Sequence, residues 1–303
     1  MQELLNTVAT YFANAKAAER DMVVDYVAGM LAKYKSAGLL SHQFVVDFAT
    51  GGEEHMHQRF SELYFGCWLI DQGLSVTSGD PGPDFRVIVG TSPVWIEVIC
   101  PTAGAGKNEI PTPTYENWGN GMTGAVYNAP TRETLLRWTT AIDAKCKAFT
   151  TYLEKGIVKA GDRCIVAINA CRLGNTGFEG ISQQPYLCEA VFAVGPQQIT
   201  INLKTNKAAP AELTYKPAIQ NFNNSSISTD VFLNGKSAHL SAVIATSQHV
   251  SSCVPLVYRR PIIVAHNSLA AAPLNKKEFA AEVEYWVEID EDDSSYTLRH
   301  TQK

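Results

Sequence analysis

Two acidic residues, Asp84 and Glu97, are the side chains of this sequence whose types and spacing best suit a chemical role. They stand thirteen positions apart in the stretch DFRVIVGTSPVWIEVIC. Two carboxylates about 4 Å apart repel by roughly 4 kcal/mol at an effective dielectric of about 20, so a converging pair in apolar surroundings requires a cation or a raised pKa. Hard divalent metals prefer such oxygens, and they activate water for phosphodiester hydrolysis. The pair is therefore a candidate metal site.

Glu97 interrupts the segment VWIEVIC, which is otherwise apolar. That composition is typical of a strand buried on both faces, where a carboxylate needs a partner. The alternative is that Glu97 faces solvent from an edge strand. Asp84 follows Gly82-Pro83, and the alternative there is an Asp that only hydrogen-bonds its own turn. A Ser-Pro turn between the two strands would bring the two acids side by side.

Neighbouring segments predict the elements that position this pair. Apolar residues at three- and four-residue steps predict a helix from about Gly52 to Gln72, followed by closely spaced strands as far as Cys100. A long loop rich in Gly, Pro, Asn and Thr covers 101–130, and such loops are usually functional or mobile. A helix is predicted from Thr131 to Gly156. Further strand candidates follow it: RCIVAINAC, YLCEAVFAV, QITINL, AHLSAVIAT and PIIVAH.

The element order predicts an α/β or α+β fold with a mixed sheet flanked by helices. Helical spacing of apolar residues in 2–36 predicts a helical hairpin ahead of that core. We divide the chain into an N-terminal helical segment, 1–45, and a core with a strand-rich C-terminal extension, 46–303. A chain of 303 residues with 46% hydrophobic residues is long enough to bury a substantial core.

The motif Pro83-Asp84, followed by Glu97 on the next strand and preceded by a helix that carries Glu62, resembles the PD-(D/E)XK nuclease superfamily. The order helix, three strands, helix, strand also resembles the restriction-endonuclease-like core of that superfamily, over about residues 53–171. The resemblance implies that Asp84 and Glu97 bind Mg²⁺ or Mn²⁺. It further implies the backbone carbonyl of Val98 as a third ligand and Glu62 as an outer ligand.

One element of the superfamily's motif is displaced. A Lys normally stands two residues after the second acid, where this chain has Ile99. Some members supply that Lys from another element, often the following helix, and there Lys145 falls on the apolar stripe while Lys147 is rotated away from it. Lys145 is thus predicted to stabilise the attacking hydroxide or the scissile phosphate. The alternatives are that Lys145 only snorkels at the edge of the stripe, or that Lys107 in the loop takes the role.

The resemblance implies a divalent-metal-dependent endonuclease that hydrolyses DNA rather than RNA, in restriction or phage defence. Its catalytic residues would be Asp84, Glu97, Lys145 and Glu62. Two alternatives stay open. One is a catalytically inactive binding or scaffold protein of the same fold, which the displaced Lys favours, and the other is a metal-dependent enzyme with other substrates. We expect a chain that acts alone or as a homodimer.

Charge and composition limit the partners. A net charge of −5 counts against a protein that coats nucleic acid, since such binding depends on phosphate neutralisation. The segment from Arg132 to Arg163 is locally basic, which suits either a local nucleic-acid groove or a solvated helix of mixed charge. No apolar run approaches the roughly 20 residues of a membrane span, and the seven cysteines are scattered singly. We therefore expect a cytoplasmic protein that does not contact a membrane.

Overall fold

The computed structural model of the chain describes residues 1–79, 81–112, 116–119, 122–124, 129–174, 177–180, 182–252, 260–290 and 295–301, with only the backbone of 116–119 and 122–124. The α-helices in these ranges are α1 (Gln2–Tyr11), α2 (Ala17–Ser36), α3 (His42–Thr50), α4 (Gly52–Asp71), α5 (Thr131–Glu154) and α6 (Tyr186–Val191). The strands are β1 (Val76–Thr77), β2 (Phe85–Val89), β3 (Ser92–Ile99), β4 (Glu116–Gly119), β5 (Met122–Gly124), β6 (Arg163–Asn169), β7 (Val194–Gln198), β8 (Ile201–Asn202), β9 (Lys207–Ala208), β10 (Glu212–Tyr215), β11 (Ala218–Gln220), β12 (Ser226–Ser228), β13 (Ala242–Thr246), β14 (Ile263–His266), β15 (Val283–Ile289) and β16 (Tyr296–His300).

Eight strands form one mixed sheet in the order β1-β2-β3-β6-β13-β14-β15-β16. The neighbours β3, β6 and β13 are parallel, as are β14 and β15, and the other neighbouring pairs are antiparallel. Every residue of β6 is buried, as expected for a parallel strand whose two faces are both covered. The other strands pair as short ribbons: β4 with β5, β7 with β10, β8 with β9, and β11 with β12.

Helices cover both faces of this sheet. The helices α1 to α4 share one hydrophobic core with the sheet face that carries Ile165 and Ala167. The helices α5 and α6 pack on the opposite face, which carries Cys164, Val166 and Ile168. Alternate residues of one strand point to opposite faces, so β6 contributes to both cores. The predicted mixed sheet flanked by helices is confirmed, and α1 and α2 form the predicted helical pair at the N-terminus.

Several predicted elements are confirmed with small changes in their bounds. The helix predicted from Gly52 is α4, and the helix predicted from Thr131 is α5. Gly156 follows α5 with a φ of 69°, the left-handed conformation that commonly ends helices. The strand predicted for YLCEAVFAV is wrong, because most of this segment forms α6. All six residues of α6 are buried, and a short helix that is buried on every side has no polar face whose periodicity would distinguish it from a buried strand.

Other elements were not predicted from the sequence. The short helix α3 begins after Ser41, whose Oγ accepts a hydrogen bond from the backbone N–H of Phe44 at 3.0 Å, as a capping residue does. The last two sheet strands, β15 and β16, also went unpredicted. In the described part of the chain no helix is both long and apolar enough to cross a bilayer. The described cysteines are free thiols.

Gly66 allows α4 to pack closely on its neighbours. A Cβ atom at this position would lie 2.6 Å from Cε2 of Tyr34 in α2 and 3.2 Å from Cζ of Phe85 in β2. Contacts of this length require the aromatic rings or the helix to move. Gly66 therefore determines how closely α4 packs against the start of β2. Asp84 directly precedes that strand.

We expect Gly66→Ala to lower the free energy of unfolding by about 1–3 kcal/mol through overpacking, although Ala favours helix more than Gly does. The matched control is Gly29→Ala in the interior of α2, where no atom lies within 4 Å of the added Cβ. That control should raise the free energy of unfolding by roughly 0.5–1 kcal/mol. Urea unfolding of the three proteins measures both changes, and a stabilised Gly66→Ala variant would contradict the packing described for α4.

Candidate active site

The strand β3 continues past the start of β2. The last residue pair between these strands joins Phe85 to Ile96, so the backbone groups of Val98 and Cys100 on that side extend beyond the ladder. Two side chains take the place of a strand there. Asp84 Oδ2 accepts a hydrogen bond from Val98 N at 2.7 Å. The Gln58 amide donates to Val98 O at 3.2 Å and accepts from Cys100 N at 2.9 Å.

The register of this hairpin places Asp84 beside Glu97. Asp84 directly precedes Phe85, which pairs with Ile96, so one further step along both strands brings the two acids to opposite positions. Glu97 is only 4% exposed, and β3 lies between β2 and β6. The alternative of a solvated edge strand therefore does not hold for Glu97.

Glu97 is held from the opposite side by α5. Its Oε2 atom lies 2.5 Å from Lys145 Nζ, and its Oε1 atom accepts a hydrogen bond from the Tyr152 hydroxyl at 2.7 Å. Lys145 and Tyr152 are seven residues apart, about two helical turns, and so share one face of α5. The helix thus supplies a cation and a neutral donor to one buried carboxylate.

The two other lysines considered from the sequence lie elsewhere. Lys147 forms an ion pair with Asp143 at 2.6 Å, and both side chains are exposed. Lys107 Nζ lies 4.1 Å from the ring centroid of Phe222. Of the three lysines, Lys145 is the one that contacts a predicted carboxylate.

Glu62 joins the group from α4. It is 5% exposed, and it accepts hydrogen bonds from Arg59 at 2.5 Å and from Gln58 at 3.0 Å. Arg59 also binds Asp47 of α3, at 2.5 Å and 3.1 Å, and these bonds lower the pKa of Asp47. Gln58 therefore links Glu62 to the end of β3 that extends past β2.

The pKa of Asp84 is raised to about 7. Burial is the largest cause, followed by the negative charges of Glu62 and Glu97, while Lys145 and the Val98 N–H act in the opposite direction. Burial alone would lower the pKa of Lys145, but Glu97, Asp84 and Glu62 outweigh it and raise that pKa. The three acids are thus close enough to repel one another, and Lys145 stays protonated at neutral pH.

Negative charge is in excess at this site. Four carboxylates, those of Asp47, Glu62, Asp84 and Glu97, face the two cations Arg59 and Lys145. Among the described residues, Asp84 is the acid of this group that has no cation at hydrogen-bonding distance. A further cation would relieve the repulsion that raises its pKa.

The structure brings the four predicted side chains, Asp84, Glu97, Glu62 and Lys145, into one group, with the Val98 carbonyl at its edge. Gln58 and Tyr152 were not predicted as members. The signals for them were present, because Gln58 lies one helical turn before Glu62, and Tyr152 lies on the apolar stripe that carries Lys145.

The described residues contain no group of three or more His, Cys, Asp or Glu side chains arranged to hold a metal ion. Comparison with known proteins gives no match to a family model, to a curated protein or to a solved structure. The geometry and charge of the site are therefore the basis for any assignment of function.

We expect the stability of the metal-free protein to fall as pH rises from about 4 to about 7, because of Asp84. The unfolded carboxyl loses its proton near its ordinary pKa of 3.8, whereas the pKa of the folded carboxyl is about 7. Each pH unit in this window costs up to about 1.4 kcal/mol. Asp84→Asn should flatten the profile and leave the variant more stable than wild type above pH 7.

The pH profile is measured by urea unfolding in EDTA. Asp143→Asn is the control, because Asp143 is exposed on α5 and pairs with Lys147. This control should follow the wild-type profile. Wild-type and Asp84→Asn curves that run parallel from pH 4 to pH 8 would contradict the raised pKa.

Replacing Glu97 should have the opposite effect on the free energy of unfolding from replacing Asp84. Because Glu97 balances the charge of Lys145, Glu97→Gln and Lys145→Met should each lower the free energy of unfolding by about 1–3 kcal/mol. The double variant should cost less than the sum by about 0.5–3 kcal/mol, since the two residues contact each other. Lys147→Met should stay within about 0.5 kcal/mol of wild type. Strict additivity in this cycle would rule out the ion pair.

Proposed function

We propose that the chain is a divalent-metal-dependent endonuclease of the PD-(D/E)XK type, with a restriction-endonuclease-like core, that hydrolyses phosphodiester bonds of DNA. The observation that carries this proposal is the contact between Lys145 and Glu97, 2.5 Å apart. It brings a helix Lys to the second acid of the motif, in a chain where Ile99 stands at the usual Lys position. The sheet strands and their flanking helices follow the order α4, β1, β2, β3, α5, β6, with the separate β4–β5 ribbon between β3 and α5, and this order supports the same assignment.

The donor atoms of the site suit Mg²⁺ or Mn²⁺, because they are carboxylate and carbonyl oxygens. Asp84 has a raised pKa caused in part by Glu62 and Glu97, which is the condition that a bound cation would relieve. Asp84, Glu97 and the Val98 carbonyl would hold the ion, and Glu62 would be an outer ligand. When bound, such an ion supplies an activated water and neutralises charge on the phosphate.

Lys145 would act as a positive charge and not as a general base. Its pKa is raised, so it carries its proton at neutral pH and can stabilise the attacking hydroxide or the scissile phosphate. Glu97, which accepts a hydrogen bond from Tyr152, positions the ammonium group. Gln58 holds Val98 O and Cys100 N, which keeps the end of β3 that extends past β2 beside the acids.

The proposed substrate is DNA, and the proposed setting is restriction or phage defence, with the chain acting alone or as a homodimer. A local cationic surface would provide phosphate contacts on a chain whose net charge is −5. The segment from Arg132 to Arg163 is basic by sequence, although in the structure Arg132 pairs with Glu133 and Lys147 with Asp143. Lys145 belongs to that segment and lies at the acids.

A second candidate function is a non-catalytic binding or scaffold protein of the same fold. The observation that favours it is that each acid already has a protein donor. Glu97 accepts from Lys145 and Tyr152, Glu62 from Arg59 and Gln58, and Asp84 from the Val98 N–H. A site whose acids all have protein donors does not need a metal to satisfy their hydrogen bonds.

We expect the purified protein to nick or cut plasmid DNA in Mg²⁺ or Mn²⁺, and to lose this activity in EDTA. Asp84→Ala and Glu97→Ala should abolish cleavage, because each removes a metal ligand. Lys145→Met should lower the cleavage rate by about two orders of magnitude, as the loss of one electrostatic stabiliser does. Lys147→Met is the matched control on the same helix and should cut at the wild-type rate.

Thermal melts distinguish the two candidate functions. Mn²⁺ at about 100 times its dissociation constant should stabilise the wild type by about 2.7 kcal/mol, and it should not stabilise Asp84→Ala. Lys145→Met should retain the shift, because Lys145 is not a ligand. Absence of both cleavage and a Mn²⁺ shift in the wild type would leave the scaffold as the better assignment, whereas cleavage in excess EDTA would refute the metal site.

A further inference from the structure

A groove of about 430 Å³ opens beside the candidate site, between α4 and α5 at the end of β3. Gln58, Cys100 and Lys145 line it, so it is continuous with the acidic group. Arg137 and Thr140 extend its α5 wall away from Lys145. A substrate that contacts Lys145 from this side would lie in the groove.

Arg137 and Lys145 lie on the same wall of the groove. They are eight residues apart on α5, just over two turns, and both line the groove. At 1.5 Å per residue the two Cα atoms are about 12 Å apart along the axis. With one phosphate per 3.4 Å of a DNA strand, this separation covers about two to four nucleotides.

The charge of Arg137 is not balanced by the described residues. Its Nε atom is buried without a hydrogen-bond partner, and among the described side chains no carboxylate forms an ion pair with it. A guanidinium is always charged, and its buried Nε is a hydrogen-bond donor that the described residues leave unused. Such an arrangement favours an anionic ligand.

The backbone at Gly104 makes room for the Arg137 guanidinium. A Cβ at Gly104 would lie 2.7 Å from Arg137 Nη1 and 3.0 Å from Cζ, and the φ of this residue is 89°. Any side chain at position 104 would therefore displace the guanidinium. Glycine supplies both the open space and the left-handed conformation.

The two walls of the groove differ in charge. Glu54 lines the α4 side, whereas Arg137 and Lys145 make the α5 side cationic. Among the side chains described as lining the groove, the imidazole of His55 is the one aromatic ring, and no Phe, Tyr or Trp is present, so the lining offers little stacking surface for bases. Cations with so little base-stacking surface suit a phosphate backbone, which is bound without regard to sequence.

We infer that this groove holds the sugar-phosphate backbone of the strand to be cut, and that Arg137 binds a phosphate two to four nucleotides from the one at Lys145. The inference rests on the proposed function, because it takes DNA as the substrate. Arg137 is a positioning residue. It contacts the backbone away from the reacting atoms, and it sets the register of the strand on α5.

The test measures DNA binding apart from cleavage, by fluorescence anisotropy of a short labelled duplex in EDTA and again in Ca²⁺. Arg137→Met should weaken binding about tenfold, equally for unrelated sequences, and should reduce the slope of log affinity against log salt by about one. The matched control is Arg132→Met on the same helix. Arg132 is exposed and pairs with Glu133, so its removal should leave the affinity and the slope unchanged.

Two further variants guard against misfolding. Gly104→Ala should reproduce the defect of Arg137→Met, because it displaces the guanidinium without removing it. Arg137→Lys should keep the wild-type salt slope, since the charge remains. Thermal melts verify that each variant is folded.

The outcomes separate this inference from the proposed function. Wild-type affinity and salt slope in both Arg137→Met and Gly104→Ala would overturn the groove and leave metal-dependent cleavage standing. The expected binding defect in a protein that never cuts would support the groove as a nucleic-acid surface and overturn the nuclease. A wild-type protein that binds no DNA in either EDTA or Ca²⁺ would overturn the groove inference outright.

Discussion

A carboxylate buried in an interior strand governs the arrangement of this site. Glu97 lies in β3 with strands on both sides, and a charge in that position is tolerated only when it is paired and hydrogen-bonded. The pairing comes from α5, through Lys145 and Tyr152. The docking of α5 on the sheet and the burial of the Glu97 carboxylate therefore depend on each other, and a movement of the helix along β3 would separate Glu97 from Lys145 and Tyr152.

The second constraint is the unequal length of β2 and β3. Because β2 begins opposite Ile96, the end of β3 needs hydrogen-bond partners, and Asp84 and Gln58 provide them. The same geometry brings Asp84 towards Glu97 and Glu62, which raises its pKa. The hydrogen bond that satisfies the β3 backbone thus brings Asp84 close to two other acids. This concentration of negative charge lowers stability at neutral pH, as is common where a site is kept for a ligand.

The sequence predicted best those features that depend on residues close together in the chain. The approach of Asp84 to Glu97 follows from a hairpin of known length, and the orientation of Lys145 follows from helical periodicity. The contact of Lys145 with Glu97 is also consistent with the sequence, because a carboxylate in an apolar strand needs a partner. The pairing of Arg59 with Asp47 depends on how α3 meets α4, which no local pattern specifies. For α6, all six residues are buried, so no alternation of exposed polar and buried apolar positions identifies it as a helix.

The contact between Lys145 and Glu97 shows how a buried charged pair can be built from two elements. Ile99 lies two residues after Glu97, so it points to the same face of β3 as Glu97 does, and it packs against the core that α5 and α6 share with the sheet. A Lys at that position would remove an apolar side chain from this core. Supplying the cation from α5 keeps the core apolar and brings the ammonium to Glu97 from the facing layer. The position of that charge then depends on residues such as Trp138 and Phe149, which are fully buried between α5 and the sheet. Packing in this layer therefore controls the electrostatics of the candidate site, and changes there that leave every charged residue in place should still alter the pKa of Asp84.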